Sequence, residues 1–240
     1  MVYEKRFYRQ WVEAGGLVQF EVDNGESDLL ILAARNLAWK AQSVLAEARS
    51  ELRDYISRDA RFLTSLTPLR VPPAAPRLVR QMAGAAQCYE VGPMAAVAGA
   101  VAEVVGERLL EESPHVIVEN GGDIFMKAEG RRAVALYAGE DSPFSGKLRI
   151  FVEPDGAPLG ICTSSATVGH SLSFGKADAV VAVAGSAALA DAAATAICNR
   201  IEQPADIRPA LERERRRGLL KGLLISLGRH LGVWGCVELG

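Results

Sequence analysis

The sequence lacks the basic excess that a general nucleic-acid-binding protein needs. Its 27 Lys and Arg residues are balanced by 29 Asp and Glu residues, which gives a formal net charge of −2, so there is no surplus of positive charge to neutralise a phosphate backbone. Aromatic residues are also few, at 6% of the chain, whereas glycine is abundant, with 23 residues. We therefore expect no nucleic-acid partner, and a core that relies on close backbone packing rather than on bulky side chains.

Cysteine is scarce as well, and the four cysteines are far apart. They are Cys88, Cys162, Cys198 and Cys236. Because they form no CxxC pair, a disulfide framework or a zinc site is disfavoured, and buried thiols in a reducing cytosol are expected. With 49% hydrophobic and 23% charged residues, the composition is that of a folded globular protein and excludes intrinsic disorder.

No segment has the pattern of a membrane anchor. The first ten residues lack an apolar core of signal-peptide length. The longest apolar stretch, 177–198, contains Asp178 and Asp191, and an aspartate inside a membrane costs at least about 2.5 kcal/mol. We predict a buried strand followed by a buried helix over this stretch, and we expect a cytoplasmic protein with no membrane partner.

The hydrophobic periodicity predicts an α+β fold. Strands and helices come in blocks rather than in strict alternation, which disfavours a doubly wound sheet. Strands are predicted as a hairpin over 17–33, then at 115–119, 123–127, 132–137, 148–152, 159–164 and 179–183, with a last hairpin at 219–227 and 231–239. Helices are predicted at 36–56, 77–87, from 92 to 109, 187–200 and 205–217. The charge-balanced run 213–217 is typical of a solvated helix face.

The chain is expected to form one domain over residues 1–240, with two closely packed α+β subdomains as the alternative. The only proline-rich segment is 71–76. It could be a domain linker, but six residues are more typical of an ordered connection inside one domain.

Three segments have compositions that a packed core alone does not require, and the first is Glu119-Asn120-Gly121-Gly122-Asp123. Two adjacent glycines allow a sharp turn and let a ligand approach the main-chain amides, with Asn120 and Asp123 as polar groups at the rim. A plain hairpin turn explains the same residues, because Asn-Gly is the commonest hairpin signal. By itself this segment favours the turn by about two to one.

The second segment, 162–171, concentrates hydroxyl groups and one histidine. The hydroxyl-bearing residues include Thr163, Ser164 and Ser165. Such a density of hydroxyls suits recognition of phosphate, ribose or carboxylate, and His170 could move a proton near neutral pH. Lys176 and Asp178 follow closely, which favours a site over an ordinary solvated loop. A serine hydrolase is disfavoured, because there is no GxSxG elbow and only three histidines are present.

The third segment is 190–195, in which Asp191 and Thr195 are four residues apart on a predicted helix and so share one face. Their neighbours are almost all alanine, so this face is expected to be buried or to line a cleft. A buried carboxylate needs a partner or a cation, and a carboxylate with a hydroxyl is an oxygen set that suits Mg²⁺. An aspartate that caps a helix beginning nearby fits the spacing equally well.

Taken in order, the three segments resemble those of the ApbE superfamily, whose best-known members are FAD:protein FMN transferases. That family shows a strand that ends in Asn-x-Gly-Gly-Asp, then a Thr-Ser-Gly segment with a downstream histidine, then Ala-Asp-x-x-x-Thr-Ala. The corresponding stretches here are 119–123, 163–165 with His170, and 190–196. The sequence is thus identified as a member of the ApbE superfamily.

The resemblance implies an α+β fold of ApbE type, similar to a T-fold, with mixed or antiparallel sheets packed with helices. It also implies a flavin nucleotide, FAD or FMN, as ligand or substrate in a cleft, with Mg²⁺ near the phosphates. Asp191 and Thr195 would then bind the metal, together with a backbone carbonyl from the turn near Gly92. Mg²⁺ would neutralise the pyrophosphate and open it to attack by a hydroxyl.

The resemblance also implies roles for the other polar residues. His170 and Asp178 would handle protons in catalysis. The residues expected to bind the flavin nucleotide are Asn120, Gly121, Gly122, Asp123, Thr163, Ser164, Ser165 and Lys176. An acceptor protein is a further expected partner if the chain is a transferase. Whether the chain forms a homo-oligomer stays open.

Departures from the family pattern keep three functions open. The transferases carry a histidine followed by Asp-Pro-x-Thr-Gly, whereas 170–178 reads His-Ser-Leu-Ser-Phe-Gly-Lys-Ala-Asp, and Ser165 stands where the family has glycine. The segments 92–99 and 163–178 instead resemble a shorter, uncharacterised branch of the superfamily. The three functions are FMN transfer or FAD hydrolysis at the pyrophosphate, a non-catalytic flavin-binding carrier or sensor, and a structural protein with a decayed site. The missing motif favours the second over a true transferase.

Overall fold

The computed structural model describes residues 16–135, 149–153, 156–166 and 174–239. Within these ranges the strands are β1 (Val18–Asn24), β2 (Ser27–Ala33), β3 (Val116–Asn120), β4 (Asp123–Lys127), β5 (Arg132–Ala135), β6 (Arg149–Val152), β7 (Leu159–Ser164), β8 (Ala179–Ala184), β9 (Gly222–Leu227), β10 (His230–Gly235) and β11 (Glu238–Leu239). The helices are α1 (Ala38–Arg58), α2 (Arg61–Thr64), α3 (Arg77–Tyr89), α4 (Val97–Leu109), α5 (Ala187–Cys198) and α6 (Ile207–Arg217). Two 3-10 turns, Pro93–Ala96 and Pro204–Asp206, lead into α4 and α6.

Eight strands form one antiparallel sheet in the order β1-β2-β3-β4-β7-β8-β9-β10. A second sheet has the order β11-β6-β5. Because neighbouring strands of the large sheet run in opposite directions, the β1–β2, β3–β4, β7–β8 and β9–β10 connections all lie along the same edge. The Gly121-Gly122 turn, the end of β7 and the beginning of β8 are thereby brought to one end of the molecule.

Both faces of the large sheet are buried, so its central strands are continuous apolar runs instead of alternating ones. On β2, Leu29 and Ile31 belong to the core under the helices, while Leu30 and Leu32 belong to a second core. The second core includes Ile150 and Val152 of β6. The result is a layer of helices, the large sheet and the small sheet, with apolar side chains filling both spaces.

The α+β class and the antiparallel sheets that were predicted are confirmed. The paired runs over 17–33 form the β1–β2 hairpin, and 159–164 forms β7 with the predicted bounds. The stretch 177–198 contains β8 and α5, both largely buried. The segment 71–76 is an ordered connection, in which the Ala75 amide donates to the Pro72 carbonyl at 2.9 Å.

Several boundaries differ from the predictions. The last predicted strand divides after Gly235, whose φ of 84° breaks the run, and β11 leaves to pair with β6. The residues after Gly92 first form a 3-10 turn, and α4 begins only at Val97. The short helix α2 was not predicted, because four residues are too few to show periodicity.

Two expectations about burial were wrong. On α6, Glu214 is 1% exposed and accepts a hydrogen bond from Tyr89 Oη at 3.2 Å, so the run 213–217 is not simply a solvated face. Among the cysteines, Cys162 and Cys198 are buried, but Cys88 and Cys236 are exposed.

In the part of the chain that the structure describes, no single helix has both the length and the apolar character to cross a membrane. One bent pair, Arg77–Tyr89 with Pro93–Leu109, reaches that length and composition together, with a bend of 105° between its halves.

Candidate functional site

The turn between β3 and β4 is built by the two adjacent glycines. Gly121 has φ of 67° and Gly122 has φ of 101°, and positive φ at both central residues is the signature of a type I′ hairpin turn, which glycine adopts without strain. Asn120 and Asp123 face each other across the ladder at the two ends of the turn. The hairpin interpretation of this segment is therefore correct for its backbone, and the turn brings two polar side chains together.

Asn120 joins this turn to the helix layer. Its side chain is buried, and Nδ2 donates to the carbonyl of Ala98 at 3.0 Å. Glu119 points to the other side of the sheet and accepts from the amide of Gly122 at 2.7 Å. These two bonds fix both the position and the shape of the turn relative to α4.

Asp123, the first residue of β4, faces the helices and is 7% exposed. Its Oδ1 accepts from the backbone amide of Thr163 on β7 at 3.1 Å. The register explains this contact, because β4 and β7 pair from Ile124 and Ile161 toward the middle of the sheet. Continued by one residue, that register puts Cys162 opposite Asp123, and Thr163 is the next residue toward the end of β7. The first and second predicted segments therefore meet.

The third segment reaches the same place through α5. Asp191 is 8% exposed, and its Oδ2 accepts from the amide of Gly99 in the first turn of α4 at 2.9 Å. One helical turn further along α5, Thr195 Oγ1 is 3.1 Å from Ser164 Oγ of β7. The capping role predicted as an alternative for Asp191 is thus present, but the helix that it caps is α4 and not its own.

Two buried carboxylates therefore share one environment. Burial raises the pKa of Asp123 well above its usual range, and the charge of Asp191 raises it further, whereas the hydrogen bond from the Thr163 amide lowers it. Burial raises the pKa of Asp191 to about 7, although hydrogen bonds from the amides of Gly99 and Ala98 act in the opposite direction and lower it. A positive charge between the two carboxyl groups would stabilise the ionised form of each and so lower both pKa values.

Cys162 belongs to this cluster, although the sequence analysis gave it no functional role. Its thiol is fully buried, and its Sγ donates to the carbonyl of Ala187 at 3.3 Å. Burial, and then the charges of Asp123 and Asp191, raise the pKa of this thiol well above its usual range. A single cysteine in an apolar strand carries no sequence signal for such a position, since most buried cysteines are simply core residues.

The remaining predicted residues belong to the connection between β7 and β8, and one of them lies outside the described residues. Ser165 is 8% exposed and follows directly after β7. Lys176 Nζ is 3.5 Å from Glu202 at the surface. Asp178 accepts from the amide of Gly228 in the β9–β10 turn at 2.7 Å. His170 lies outside the described residues.

The oxygen atoms of Asp191 and Thr195 suit a hard cation that also binds water or substrate oxygens. The described residues contain no group of three or more His, Cys, Asp and Glu side chains arranged to hold a metal ion. Asp191 and Thr195 supply two protein oxygens on one face of α5. Mg²⁺ is typically bound by one or two carboxylates and completed by water and substrate phosphates, so this sparse set fits Mg²⁺ beside a phosphorylated ligand better than a closed protein cage.

Sequence comparison finds a family model, described as AbpE bacteria, that matches residues 9–221. A UPF0280 protein of Methanocaldococcus jannaschii is 43% identical over 201 residues, which are 82% of this chain and 81% of that protein. Another UPF0280 protein, from Methanopyrus kandleri, is 40% identical over 216 residues, covering 88% of this chain and 87% of its own length.

Structure comparison finds the same fold in distant proteins. The flavin transferase ApbE of Vibrio cholerae superposes with a TM-score of 0.57 at 14% identity, over 91% of this chain and 96% of that chain. The flavinyl transferase ApbE of Pseudomonas stutzeri, in its apo form, gives a TM-score of 0.54 at 13% identity, over 91% and 94% of the two chains. At these identities the likeness concerns the fold.

Proposed function

This chain belongs to the AbpE bacteria family and is an ApbE-like protein, and on that premise we propose that it binds a flavin nucleotide with Mg²⁺ and acts at the pyrophosphate of FAD. The phosphoanhydride bond breaks at the phosphorus of the FMN half, AMP leaves, and FMN passes either to a hydroxyl of an acceptor protein or to water. Transfer yields a phosphoester and hydrolysis yields free FMN.

One observation carries this proposal. Asp123 and Asp191, which are 68 positions apart in the sequence, lie close enough for the charge of one to raise the pKa of the other, and both are buried. A folded protein keeps two such carboxylates together at a free-energy cost, because neither is paired with a cationic side chain in the bonds described above. A bound divalent cation makes that arrangement favourable.

In this proposal Asp191 and Thr195 hold the metal. Mg²⁺, when bound, would neutralise the negative charge of the pyrophosphate. Ser164 orients the Thr195 hydroxyl through their contact of 3.1 Å. Asp123 holds the Thr163 amide at 3.1 Å, which fixes the end of β7 where the phosphates would lie.

The other predicted residues act at the rim. Gly121 and Gly122 have no side chain to obstruct a ligand that approaches the β3–β4 turn, and Asn120 anchors that turn to α4. Ser165 and Lys176 flank the segment that carries His170, and they would contact the nucleotide. His170 and Asp178 are the proposed proton-handling groups.

A second candidate is a flavin-binding carrier or sensor without catalysis. It is favoured by the replacement of Asp-Pro-x-Thr-Gly after His170, and by the Asp178 carboxylate, which already accepts the Gly228 amide at 2.7 Å. A carboxylate engaged in this way serves to hold the β9–β10 turn. This candidate uses the same flavin and metal residues.

The two candidates are distinguished by products. The purified protein is incubated with FAD and Mg²⁺, and AMP and FMN are separated by chromatography, while protein-bound flavin is measured by absorbance and mass spectrometry. AMP formation that requires Mg²⁺ supports transfer or hydrolysis, whereas bound flavin without AMP supports the carrier. If the protein binds no flavin at any Mg²⁺ concentration, both candidates are refuted and only a structural role is left.

Asp191→Asn tests the metal site within this assay. The variant keeps the shape of the side chain but loses the charge, so we expect AMP formation, or Mg²⁺-dependent flavin binding if there is no AMP, to fall by about 100-fold. Glu107→Gln is the matched control, because it makes the same carboxylate-to-amide change on α4 at a residue that is paired with Arg77. Equal behaviour of the two variants would contradict the assignment of Asp191.

A further inference from the structure

Helices α4 and α5 cross at a point where their backbones are in direct contact. A Cβ atom built on Gly99 of α4 would lie 2.8 Å from the carbonyl carbon of Ala187 and 2.9 Å from Cβ of Asp191 on α5. Real Cβ atoms do not come this close, so only glycine permits the approach. The crossing therefore fixes the first turn of α5 against the first turn of α4.

The two helices cap each other across this crossing. Asp191 lies four residues after Ala187 and accepts the amide of Gly99 at 2.9 Å. Glu103 lies four residues after Gly99 and reaches the beginning of α5, where its Oε2 accepts from Ser186 Oγ at 2.8 Å and from the amide of Ala188 at 3.0 Å. Each helix thus provides a carboxylate, one turn beyond the contact, to the free amides of the other.

The sheet holds the same turn of α5 from the other side. A Cβ atom on Gly160 of β7 would lie 2.5 Å from the Ala187 nitrogen, and Cys162 Sγ donates to the Ala187 carbonyl at 3.3 Å. At about 1.5 Å of rise per residue, Asp191 lies about 6 Å and Thr195 about 12 Å along the helix axis from Ala187. Any shift or rotation of the first turn is therefore passed on to both side chains.

We propose that Glu103 is a positioning residue for the metal and nucleotide site, since its carboxylate sets the position of α5 and thereby the distance from Asp191 and Thr195 to the edge of β4 and β7. This inference rests on the proposed function, because it concerns the same site. Glu103 is 7% exposed and accepts two hydrogen bonds at the start of α5. A glutamate that served stability alone would leave the affinity of the site unchanged when replaced.

The test measures the affinity for Mn²⁺ in the presence of FAD, by electron paramagnetic resonance of the free ion, and in parallel the free energy of unfolding in urea. We expect Glu103→Ala to weaken Mn²⁺ binding by about 10-fold or more. We expect Glu103→Gln to stay within about 3-fold of the unchanged protein, because its amide oxygen can still accept both bonds. Ser186→Ala removes only one of the two hydrogen bonds to Glu103, so its Mn²⁺ affinity should lie between those of the two Glu103 variants. It takes the place of Glu103→Ala in the test if that variant does not fold.

Glu214→Ala is the matched control for Glu103→Ala. Glu214 is a buried carboxylate that accepts from Tyr89, so its replacement should lower stability but leave Mn²⁺ affinity unchanged. The positioning role is overturned if Glu103→Ala and Ser186→Ala bind Mn²⁺ as tightly as the unchanged protein while Asp191→Asn does not. If the unchanged protein itself binds no Mn²⁺ with FAD, the proposed function fails, and the positioning role fails with it.

Discussion

At the scale of single residues, the carboxyl groups of Asp123 and Asp191 dominate the electrostatics of the candidate site. Both are desolvated, and the pKa values of both are raised. An ionised aspartate in this position is less stable in the folded protein than in the unfolded chain, where its pKa is close to 3.9. The folded protein therefore binds more protons than the unfolded chain between about pH 4 and pH 7.

This difference in proton binding predicts that the metal-free protein loses stability as pH rises. Stability falls with pH wherever the native state binds more protons than the unfolded state, and the pKa of Asp191 is raised to about 7. We expect the free energy of unfolding to fall by about 1–4 kcal/mol between pH 5 and pH 8, as measured by urea denaturation in the presence of a chelator.

Asp191→Asn provides the control for the pH dependence. The amide cannot ionise, and it also removes the charge that raises the pKa of Asp123, so most of the slope between pH 5 and pH 8 should disappear. At pH 8 the metal-free variant should be at least as stable as the unchanged protein. A slope that is the same in both proteins would show that other groups cause it.

At the scale of elements, α5 depends on small residues on both sides of its first turn. A Cβ on Gly160 would lie 2.6 Å from the carbonyl carbon of Ser186 and 2.5 Å from the nitrogen of Ala187, and backbone atoms cannot move aside as the end of a flexible side chain can. We expect Gly160→Ala to lower the free energy of unfolding by about 1–3 kcal/mol, measured by urea denaturation.

Gly185→Ala is the matched substitution, in the short connection between β8 and α5. A Cβ at Gly185 meets nothing within 4 Å, so its effect should stay within about 0.5 kcal/mol. Comparable losses in the two variants would indicate that the backbone of α5 can move away from β7, and would weaken the view that this turn is fixed.

At the scale of the whole molecule, we propose that the chain forms a single ApbE-like domain. Strands from 18–24 to 230–235 join one continuous sheet. The small sheet shares a core with it through Ile150 and Val152 of β6, and Val237, just before β11, belongs to the same core. Separate domains meet at boundaries that few contacts cross. In the described ranges the shared core leaves no such boundary between the two sheets.

A single domain predicts one cooperative unfolding transition. We expect the urea midpoints from far-ultraviolet circular dichroism, which reports mainly on the helices, and from tryptophan fluorescence, which reports on local surroundings, to coincide within error. The alternative of two packed subdomains predicts separate midpoints. Glu103→Ala provides a useful comparison, since the loss of its two hydrogen bonds to the start of α5 should shift both midpoints together.

Much of the fold could be predicted from the sequence because periodicity is a local property. The β1–β2 hairpin, the long helix α1 and the strand β7 were found from patterns of two or of three to four residues. The same reasoning failed for Glu214, because a charged residue in an Arg-rich run carries no sign that Tyr89, 125 positions away, donates a hydrogen bond to it. It also missed the division between β10 and β11, because β11 pairs with a strand about 87 positions earlier.

Residue types at short spacing were enough to predict the α+β class, the Gly-Gly turn between Asn120 and Asp123, and the common face of Asp191 and Thr195. The three-dimensional structure was needed to show that Asp123 lies near Thr163 and Asp191, and that Glu103 and Asp191 cap each other's helices. Those contacts join residues 40 to 92 positions apart, and their distances depend on strand order and on the close approach at Gly99. Local patterns do not encode either one.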